Sequence, residues 1–277
     1  MQTFFEILKS LLFGVLEGIT EWLPISSTGH LILLEEFVKF DGVSDSFSEM
    51  FNVVIQLGAI LAVAVIFWRK IWPFSRDGEV LGIISRSKLT LWLKIIVACL
   101  PSAIVGLLFD DVIDSLFYNP VTVGVMLILV GIAFIFVERH NQNKPAKAAS
   151  LDTLTWRQAL GIGVFQLVAA VFPGTSRSGS TILGGLTLGV SRTVAAEFTF
   201  FLGIPVMFGA SLLKLVKFGF AFTATEAVIL LVGMISAFAV SMVCIRFLMD
   251  YIKNHDFKAF AWYRIVLGVV VLIYFCN

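Results

Sequence analysis

The chain has 277 residues, of which 58% are hydrophobic and only 14% are charged. A soluble globular domain carries about 25% charged residues, so this composition excludes an ordinary soluble protein. The formal net charge of +1 gives no reason to expect nucleic acid as a partner.

The first apolar region runs from about residue 4 to residue 37 and is broken in its middle by Pro, Gly, Ser and Thr. It lacks the basic start and the small-residue cleavage site of a signal peptide, so we interpret it as part of the mature protein. Broken backbone is tolerated at membrane depth only where it is buried in protein or lines a wet cavity. The region therefore predicts a re-entrant helix–loop–helix hairpin.

Two acidic residues lie in the first half of this hairpin. Glu17 and Glu21 are four residues apart, which places them on one face of a helix. A charge at the bilayer centre costs about 2.5–3.5 kcal/mol, and stacked carboxylates also repel each other. The pair therefore needs a wet cavity, a cation or a basic partner, unless the helix is amphipathic and lies at the interface with its acids in water.

The turn after these acids is rich in hydroxyl groups. Ser26, Ser27 and Thr28 precede a predicted helix, and hydroxyls with free N–H groups at a helix N-terminus suit an anion. Capping of the helix alone would also explain them. His30 is close enough in sequence to contact Ser27, and it is the one histidine of three in an apolar context.

Six further stretches are long enough to cross a hydrocarbon core, which needs about 20 residues. We predict spans at about 50–68, 89–109, 120–137, 194–213, 226–248 and 260–276. Lys94 and Arg264 lie near span ends, where we expect them to snorkel to the interface. Glu197, in the fourth span, either pairs with a nearby arginine or reaches the site.

The connections between the spans differ in charge. Those after the first, third and fifth spans are rich in Lys and Arg, whereas the connections on the opposite side carry fewer basic residues. The positive-inside rule places the basic connections in the cytoplasm and both termini outside.

A second broken apolar region, at about 155–190, carries an arginine at its centre. Arg177 is flanked by Ser176, Ser178 and Thr181, with glycines among them. An arginine at a membrane-buried hairpin tip is costly, and a guanidinium group matches phosphate oxygens through two hydrogen bonds. The alternative is a structural pairing of this arginine with one of the two acids of the first hairpin.

The two halves of the chain resemble each other. Gly14 aligns with Gly163, and in the same register Ser27 aligns with Ser176. Each half is one hairpin followed by three spans, so the second half must be inverted relative to the first. We predict an all-α polytopic membrane protein with six transmembrane helices and two re-entrant hairpins in an inverted repeat, with the site near the midplane. The predicted units are 1–138, a cytoplasmic linker at 139–154, and 155–277.

Two motifs resemble one known family. Glu-Gly-x-x-Glu-x-Leu-Pro-x-Ser-Ser-Thr-Gly-His, from Glu17 to His30, and Pro-Gly-x-Ser-Arg-Ser-Gly-x-Thr, from Pro173 to Thr181, are similar to the undecaprenyl-diphosphate phosphatase family of the bacitracin-resistance type. The similarity extends over nearly the whole chain. Asn52 departs from the family pattern, which often has an acid there, so we do not expect a metal ligand at this position.

The resemblance implies metal-dependent removal of the terminal phosphate from undecaprenyl diphosphate, which recycles the lipid carrier of cell-wall synthesis. It also implies a bacterial cell-membrane location and a site that opens to the outer face. The key residues that it implies are Glu17, Glu21, His30 and Arg177.

From these residues we formulate a mechanism. Mg²⁺ or Ca²⁺, held by Glu17 and Glu21, bridges the diphosphate, and Arg177 stabilises the transferring phosphoryl group. Ser27 either attacks phosphorus while His30 relays the proton, or positions a water that His30 activates. The hydroxyl groups expected to bind phosphate are those of Ser26, Thr28, Ser176, Ser178 and Thr181.

Two other classes of function remain open. Inverted repeats that meet at broken helices are typical of transporters, so the chain could instead carry a polyprenyl phosphate across the membrane. A purely structural or lipid-binding protein would leave the arginine and the stacked acids unexplained. The sequence is compatible with a homodimer but does not fix the oligomeric state.

Overall fold

The computed structural model describes residues 2–80, 82–219 and 221–276. Twelve helices and one short two-stranded hairpin follow in chain order within these residues. They are α1 Gln2–Thr20, α2 Ser27–Phe37, α3 Asp45–Val54, α4 Gln56–Ile66, α5 Trp68–Ile71, β1 Phe74–Gly78, β2 Gly82–Ile84, α6 Arg86–Phe117, α7 Pro120–Asn141, α8 Trp156–Val171, α9 Arg177–Thr187, α10 Arg192–Phe218, α11 Ala224–Asn254 and α12 Lys258–Cys276.

Six helical segments of the described residues are long and apolar enough to cross a membrane, as predicted. They are Asp45–Ile66, Arg86–Phe109, Pro120–Asn141, Arg192–Phe218, Ala224–Asn254 and Lys258–Phe275. Large apolar side chains remain exposed along them, as lipid-facing surfaces require. The chain is therefore a multi-pass, predominantly helical membrane protein.

Several boundaries differ from the sequence prediction because capping groups set the helix ends. The fifth span extends to both sides of 226–248, and it begins at a capping box in which Thr223 and Glu226 satisfy each other's backbone N–H groups. The antiparallel pair β1–β2 lies in the basic connection before α6 and was not predicted. Its strands are short and contain glycine, so they carry no helical apolar period.

Both broken regions pack on a span of the other half through small residues. A Cβ atom on Gly14 of α1 would lie 2.4 Å from the carbonyl oxygen of Gly233 in α11. A Cβ atom on Gly163 of α8 would lie 2.3 Å from the carbonyl oxygen of Ala98 in α6. Backbones come this close in membranes only where a side chain is missing. Helices α1 and α8 therefore each pack closely on a span through a glycine, and the sequence alignment pairs these two glycines, Gly14 and Gly163.

An ion pair joins three elements at one end of the bundle. The buried carboxylate of Glu138 in α7 accepts hydrogen bonds from Arg192 Nη2 at 2.5 Å and from Arg192 Nε at 3.0 Å. It also accepts from the backbone N–H of Phe257, before α12, at 3.0 Å. These bonds tie α7, α10 and the start of α12 together.

Three charged residues of the spans do not lie where the sequence suggested. Glu197 pairs with Lys70 at 2.6 Å, neither with an arginine nor with the site. The snorkelling prediction is wrong for Lys94, which is 6% exposed and lies against the ring of Trp156. It is also wrong for Arg264, which is completely buried.

Candidate active site

The turns inside the two broken regions have the same local geometry. Ser26 caps α2 with a φ of 75°, and Ser176 caps α9 with a φ of 69°. Each hydroxyl accepts a hydrogen bond from a glycine N–H three residues on, at Gly29 and Gly179 respectively. A positive φ is unusual for a residue with a side chain and often marks a functional site.

This geometry shifts the register of the two turns by one residue from the sequence alignment. Ser26, and not Ser27, corresponds to Ser176. As a result Ser27 and Arg177 occupy the same place, the first residue of the helix after the turn. The sequence comparison missed this because it matches identical Pro and Ser residues, and that match pairs Ser27 with Ser176. The helix N-caps, Ser26 and Ser176, differ from this register by one residue.

Arg177 reaches from the second turn to the first. Its Nη2 donates to Glu21 Oε1 at 2.9 Å, and its Nη1 donates to the carbonyl oxygen of Thr199 at 2.9 Å. Its guanidinium group lies over the ring of Trp22 at 5.7 Å, a cation–π distance. The pairing of the arginine with an acid of the first hairpin is therefore present, and the acid is Glu21.

Glu21 also binds the serine of its own turn. The hydroxyl of Ser27 donates to Glu21 Oε2 at 2.8 Å, while Oε1 faces Arg177. Ser27 is partly exposed, whereas Glu21 is buried. One carboxylate thus connects a reachable hydroxyl group to an arginine, and a carboxylate in this position is able to accept the proton of the hydroxyl group.

Glu17 lies one helical turn before Glu21 and is completely buried. Within the part of the chain that the structure describes, neither of its carboxylate oxygens accepts a hydrogen bond. A buried carboxylate without partners is costly unless a cation compensates it. Among the described residues, no group of three or more His, Cys, Asp or Glu side chains could hold a metal. Glu17 and Glu21 nevertheless fit Mg²⁺, which often takes one or two carboxylates and completes its shell with phosphate oxygens and water.

The hydroxyl groups predicted to bind phosphate fall into two sets. Ser26, Ser178 and Thr181 are buried, and the hydroxyls of Ser178 and Thr181 donate to backbone carbonyls of Glu21 and Arg177 at 2.9 and 2.8 Å. In the other set, Thr28 and Ser176 are partly exposed. The buried set holds the two turns in place. The side chains of the exposed set can be reached by a ligand, although the hydroxyl of Ser176 also accepts from the N–H of Gly179.

His30 does not bind Ser27, contrary to the sequence-based expectation of a contact. Its Nδ1 lies 2.7 Å from the carbonyl oxygen of Ser26, and its Nε2 lies 2.7 Å from the hydroxyl of Tyr263 in α12. The carbonyl of the capping residue lies four positions earlier, on the same face of the helix, and its oxygen has two lone pairs, so it can accept from the imidazole as well as from the backbone. The imidazole takes this acceptor, while the hydroxyl of Ser27 turns to Glu21.

Arg264 links the two turns through hydrogen bonds to their backbone carbonyls. Its guanidinium group donates to the carbonyl oxygens of Pro24 at 3.0 Å, Gly174 at 3.0 Å and Thr175 at 2.7 Å. Sequence reasoning missed this role. The available signal was the position of Arg264 inside an apolar run, because an ionisable residue there is a functional candidate by default.

Asn52, where the sequence provides no reason to expect a metal ligand, binds a carboxylate outside the two motifs. Its side-chain amide donates to the carboxylate of Glu35, near the end of α2. The amide therefore binds one acid rather than joining Glu17 and Glu21.

The position of Arg177 depends on the absence of a side chain at Gly203. A Cβ atom there would lie 2.9 Å from both Nη atoms of Arg177. We expect Gly203→Ala to displace the guanidinium group and to lower turnover about tenfold, since small displacements of a catalytic group are expensive. Gly209→Ala in the same helix is the matched control, because a Cβ atom there has no neighbour within 4 Å. Equal turnover of the two variants in a phosphate-release assay would contradict the prediction.

Comparison with known proteins decides the family. The family model for bacitracin resistance protein BacA matches residues 10–270. The chain belongs to this family. BacA-family relatives include the undecaprenyl-diphosphatase of Desulfitobacterium hafniense, 60% identical over 98% of this chain and 96% of the relative. Undecaprenyl-diphosphatase 1 of Clostridium acetobutylicum is 58% identical over 98% of this chain and 97% of the relative. Undecaprenyl-diphosphatase 1 of Clostridioides difficile is 53% identical over 99% of both chains. The family resemblance seen in the sequence is confirmed.

Proposed function

We propose that this chain is an undecaprenyl-diphosphatase, which hydrolyses undecaprenyl diphosphate to undecaprenyl phosphate and inorganic phosphate. Relatives of that name align over nearly the full length of both chains. The observation that carries the proposal is the connection of Ser27 through Glu21 to Arg177. It joins a nucleophile, a base and a phosphate-binding group.

In this proposal Arg177 binds the terminal phosphate and stabilises its charge during transfer. Ser27 loses its proton to Glu21 as its oxygen bonds to phosphorus, and the bond from phosphorus to the bridging oxygen breaks. Undecaprenyl phosphate leaves as an anion that needs no proton. The transition state of such a transfer is loose, so positioning and electrostatics supply most of the acceleration.

Water then cleaves the phosphoserine. A proton passes from this water to His30, and Glu21 returns its proton to the serine oxygen as inorganic phosphate departs. His30 suits this second step better than the first, because its Nε2 faces Tyr263 and not Ser27. Thr28 and Ser176 lie partly exposed beside the two helix starts, where they bind the phosphate oxygens.

We propose that Glu17 and Glu21 hold a divalent cation, Mg²⁺ or Ca²⁺. When bound, it neutralises the diphosphate and balances the buried charge of Glu17, whose oxygens accept no hydrogen bond from any described residue. The residues of the chain then orient the substrate around it.

The architecture proposed for this activity is an inverted repeat of two re-entrant hairpins, each followed by three spans. The units are 1–138 and 155–277, joined at 139–154. The matching glycine contacts of α1 and α8 support it, and so do the matching positive-φ serine caps. The charge asymmetry of the connections supports a site that opens to the outer side of the bacterial cell membrane.

In that membrane the enzyme would return the lipid carrier of peptidoglycan synthesis to use and so confer bacitracin resistance. The isoprenoid chain needs no enclosed pocket, since a lateral opening between apolar helices leaves it in lipid.

The proposal is tested with purified protein in detergent, undecaprenyl diphosphate and a divalent metal. We expect release of inorganic phosphate, although no second compartment exists. A transporter of polyprenyl phosphate, which an inverted repeat would also suit, releases none under these conditions. Absence of release with every divalent metal tried would overturn the phosphatase proposal.

The role of Ser27 has its own test. We expect Ser27→Ala to retain less than about 1% of turnover, because removal of a covalent nucleophile abolishes the main route. We also expect substrate labelled in its terminal phosphate to mark Ser27 in the parent after a rapid acid quench. Substantial turnover of Ser27→Ala, without label on the parent, would show that Ser27 only positions a water.

A further inference from the structure

The two ring nitrogens of His30 face groups of different chemistry. Nδ1 faces the carbonyl oxygen of Ser26, which can only accept, so Nδ1 carries a proton. Nε2 faces the hydroxyl of Tyr263, which can donate or accept. In the neutral ring Nε2 accepts from this hydroxyl, and in the charged ring it donates to it. Nε2 is therefore the nitrogen that gains and loses a proton, and Tyr263 is its partner in both states.

The position of Tyr263 is well defined. Its ring lies parallel to that of His30, with an interplanar angle of 5° and centroids 5.6 Å apart. The next residue, Arg264, is completely buried and bound to the carbonyls of both turns. Tyr263 itself is 47% exposed, so about half of its side chain lies outside the packed interior.

We propose that Tyr263 is a positioning residue of the phosphatase reaction, which orients His30 and passes protons to and from its Nε2. This inference rests on the proposed role of His30. When water attacks the phosphoserine, the hydroxyl of Tyr263 gives its proton to Nε2 and takes one from the water. The tyrosine ends unchanged, and the net transfer is one proton from water to His30.

The test separates the hydroxyl from the ring. Tyr263→Phe keeps the ring that packs on His30 and removes only the proton-carrying group. We expect an unchanged melting temperature, a KM within about twofold of the parent and a kcat lower by about tenfold or more, a smaller loss than the roughly hundredfold or greater effect of removing the acid–base group itself. Tyr274→Phe is the matched control, since Tyr274 lies in the same helix and is similarly exposed, at 46%. We expect it to keep the parent kcat.

A double-mutant cycle with His30→Gln shows whether Tyr263 acts through His30. We expect Tyr263→Phe to have no further effect on kcat in the His30→Gln background. A parent-like kcat for Tyr263→Phe, or the same fold loss in both backgrounds, would overturn the inference. If His30→Gln itself kept the parent kcat, the proposed role of His30 would fail, and the inference with it. Hydrolysis by the parent would stand in either case.

A spectroscopic measurement reports on the contact directly. With ¹⁵N-labelled histidine and the other two histidines replaced, as His140→Gln and His255→Gln, only His30 contributes signals. We expect Tyr263→Phe to shift the Nε2 resonance and to leave the Nδ1 resonance near its place. Identical spectra for parent and variant would show that the hydroxyl does not bind His30, against the proposal.

Discussion

Replacing Arg177 with lysine is expected to lower phosphate release about a thousandfold, within the range that a phosphate-stabilising arginine contributes to phosphoryl transfer. Arg177 binds Glu21 with one Nη atom and the carbonyl of Thr199 with the other. A lysine ammonium group is a point charge and cannot hold both acceptors and still present a planar edge to phosphate. The charge is thus retained, but the geometry is lost.

The comparison of Arg177→Lys with Arg192→Lys separates this effect from general damage. Arg192 also pairs with a buried glutamate, Glu138, but lies at the end of the bundle away from the candidate site. We expect Arg192→Lys to lower the melting temperature with little change in kcat. We expect Arg177→Lys to lower kcat with little change in the melting temperature. A thousandfold loss in both variants, or in neither, would remove the catalytic role of Arg177.

The spans and most residues of the candidate site could be predicted from the sequence because a bilayer restricts which segments can cross it and where charged residues can lie. A run of about 20 apolar residues can only cross the membrane, and charges that interrupt such runs need partners. Glu17, Glu21 and Arg177 were recognisable on this ground alone. The structure brings Glu21, Ser27 and Arg177 into direct contact.

The partners of these residues could not be predicted, and for a physical reason. The acceptors that Arg264 binds among the described residues are backbone carbonyls, which every residue possesses, so no side-chain pattern marks them. Tyr263 meets His30 across more than two hundred residues of chain. The contact between Ser27 and His30 was a reasonable helical expectation, but the capping carbonyl of Ser26 and the carboxylate of Glu21 are stronger local partners.

The second large effect is expected at Glu17, where activity and stability should change in opposite directions. Both carboxylate oxygens of Glu17 are buried, and no described residue donates a hydrogen bond to them. Glu17→Gln keeps the shape and removes the charge. We expect at least a hundredfold loss of phosphate release, on the order of the loss of one electrostatic catalytic group. In the presence of a chelator, however, we expect the variant to melt at a higher temperature than the parent, because a buried charge that accepts no hydrogen bond has been removed.

Glu21, one helical turn after Glu17, is expected to respond in the opposite way when its charge is removed. Glu21 is the partner of Arg177, so Glu21→Gln leaves a partly buried guanidinium group without its carboxylate and should melt below the parent. Metal adds a second criterion, since a ligand that binds only the folded state raises its stability by about 2.7 kcal/mol at a hundred times its Kd. We expect Mg²⁺ or Ca²⁺ to raise the melting temperature of the parent and to leave that of Glu17→Gln unchanged. If Glu17→Gln kept the full metal-induced rise, the cation would have to bind elsewhere, and the buried carboxylate would need another explanation.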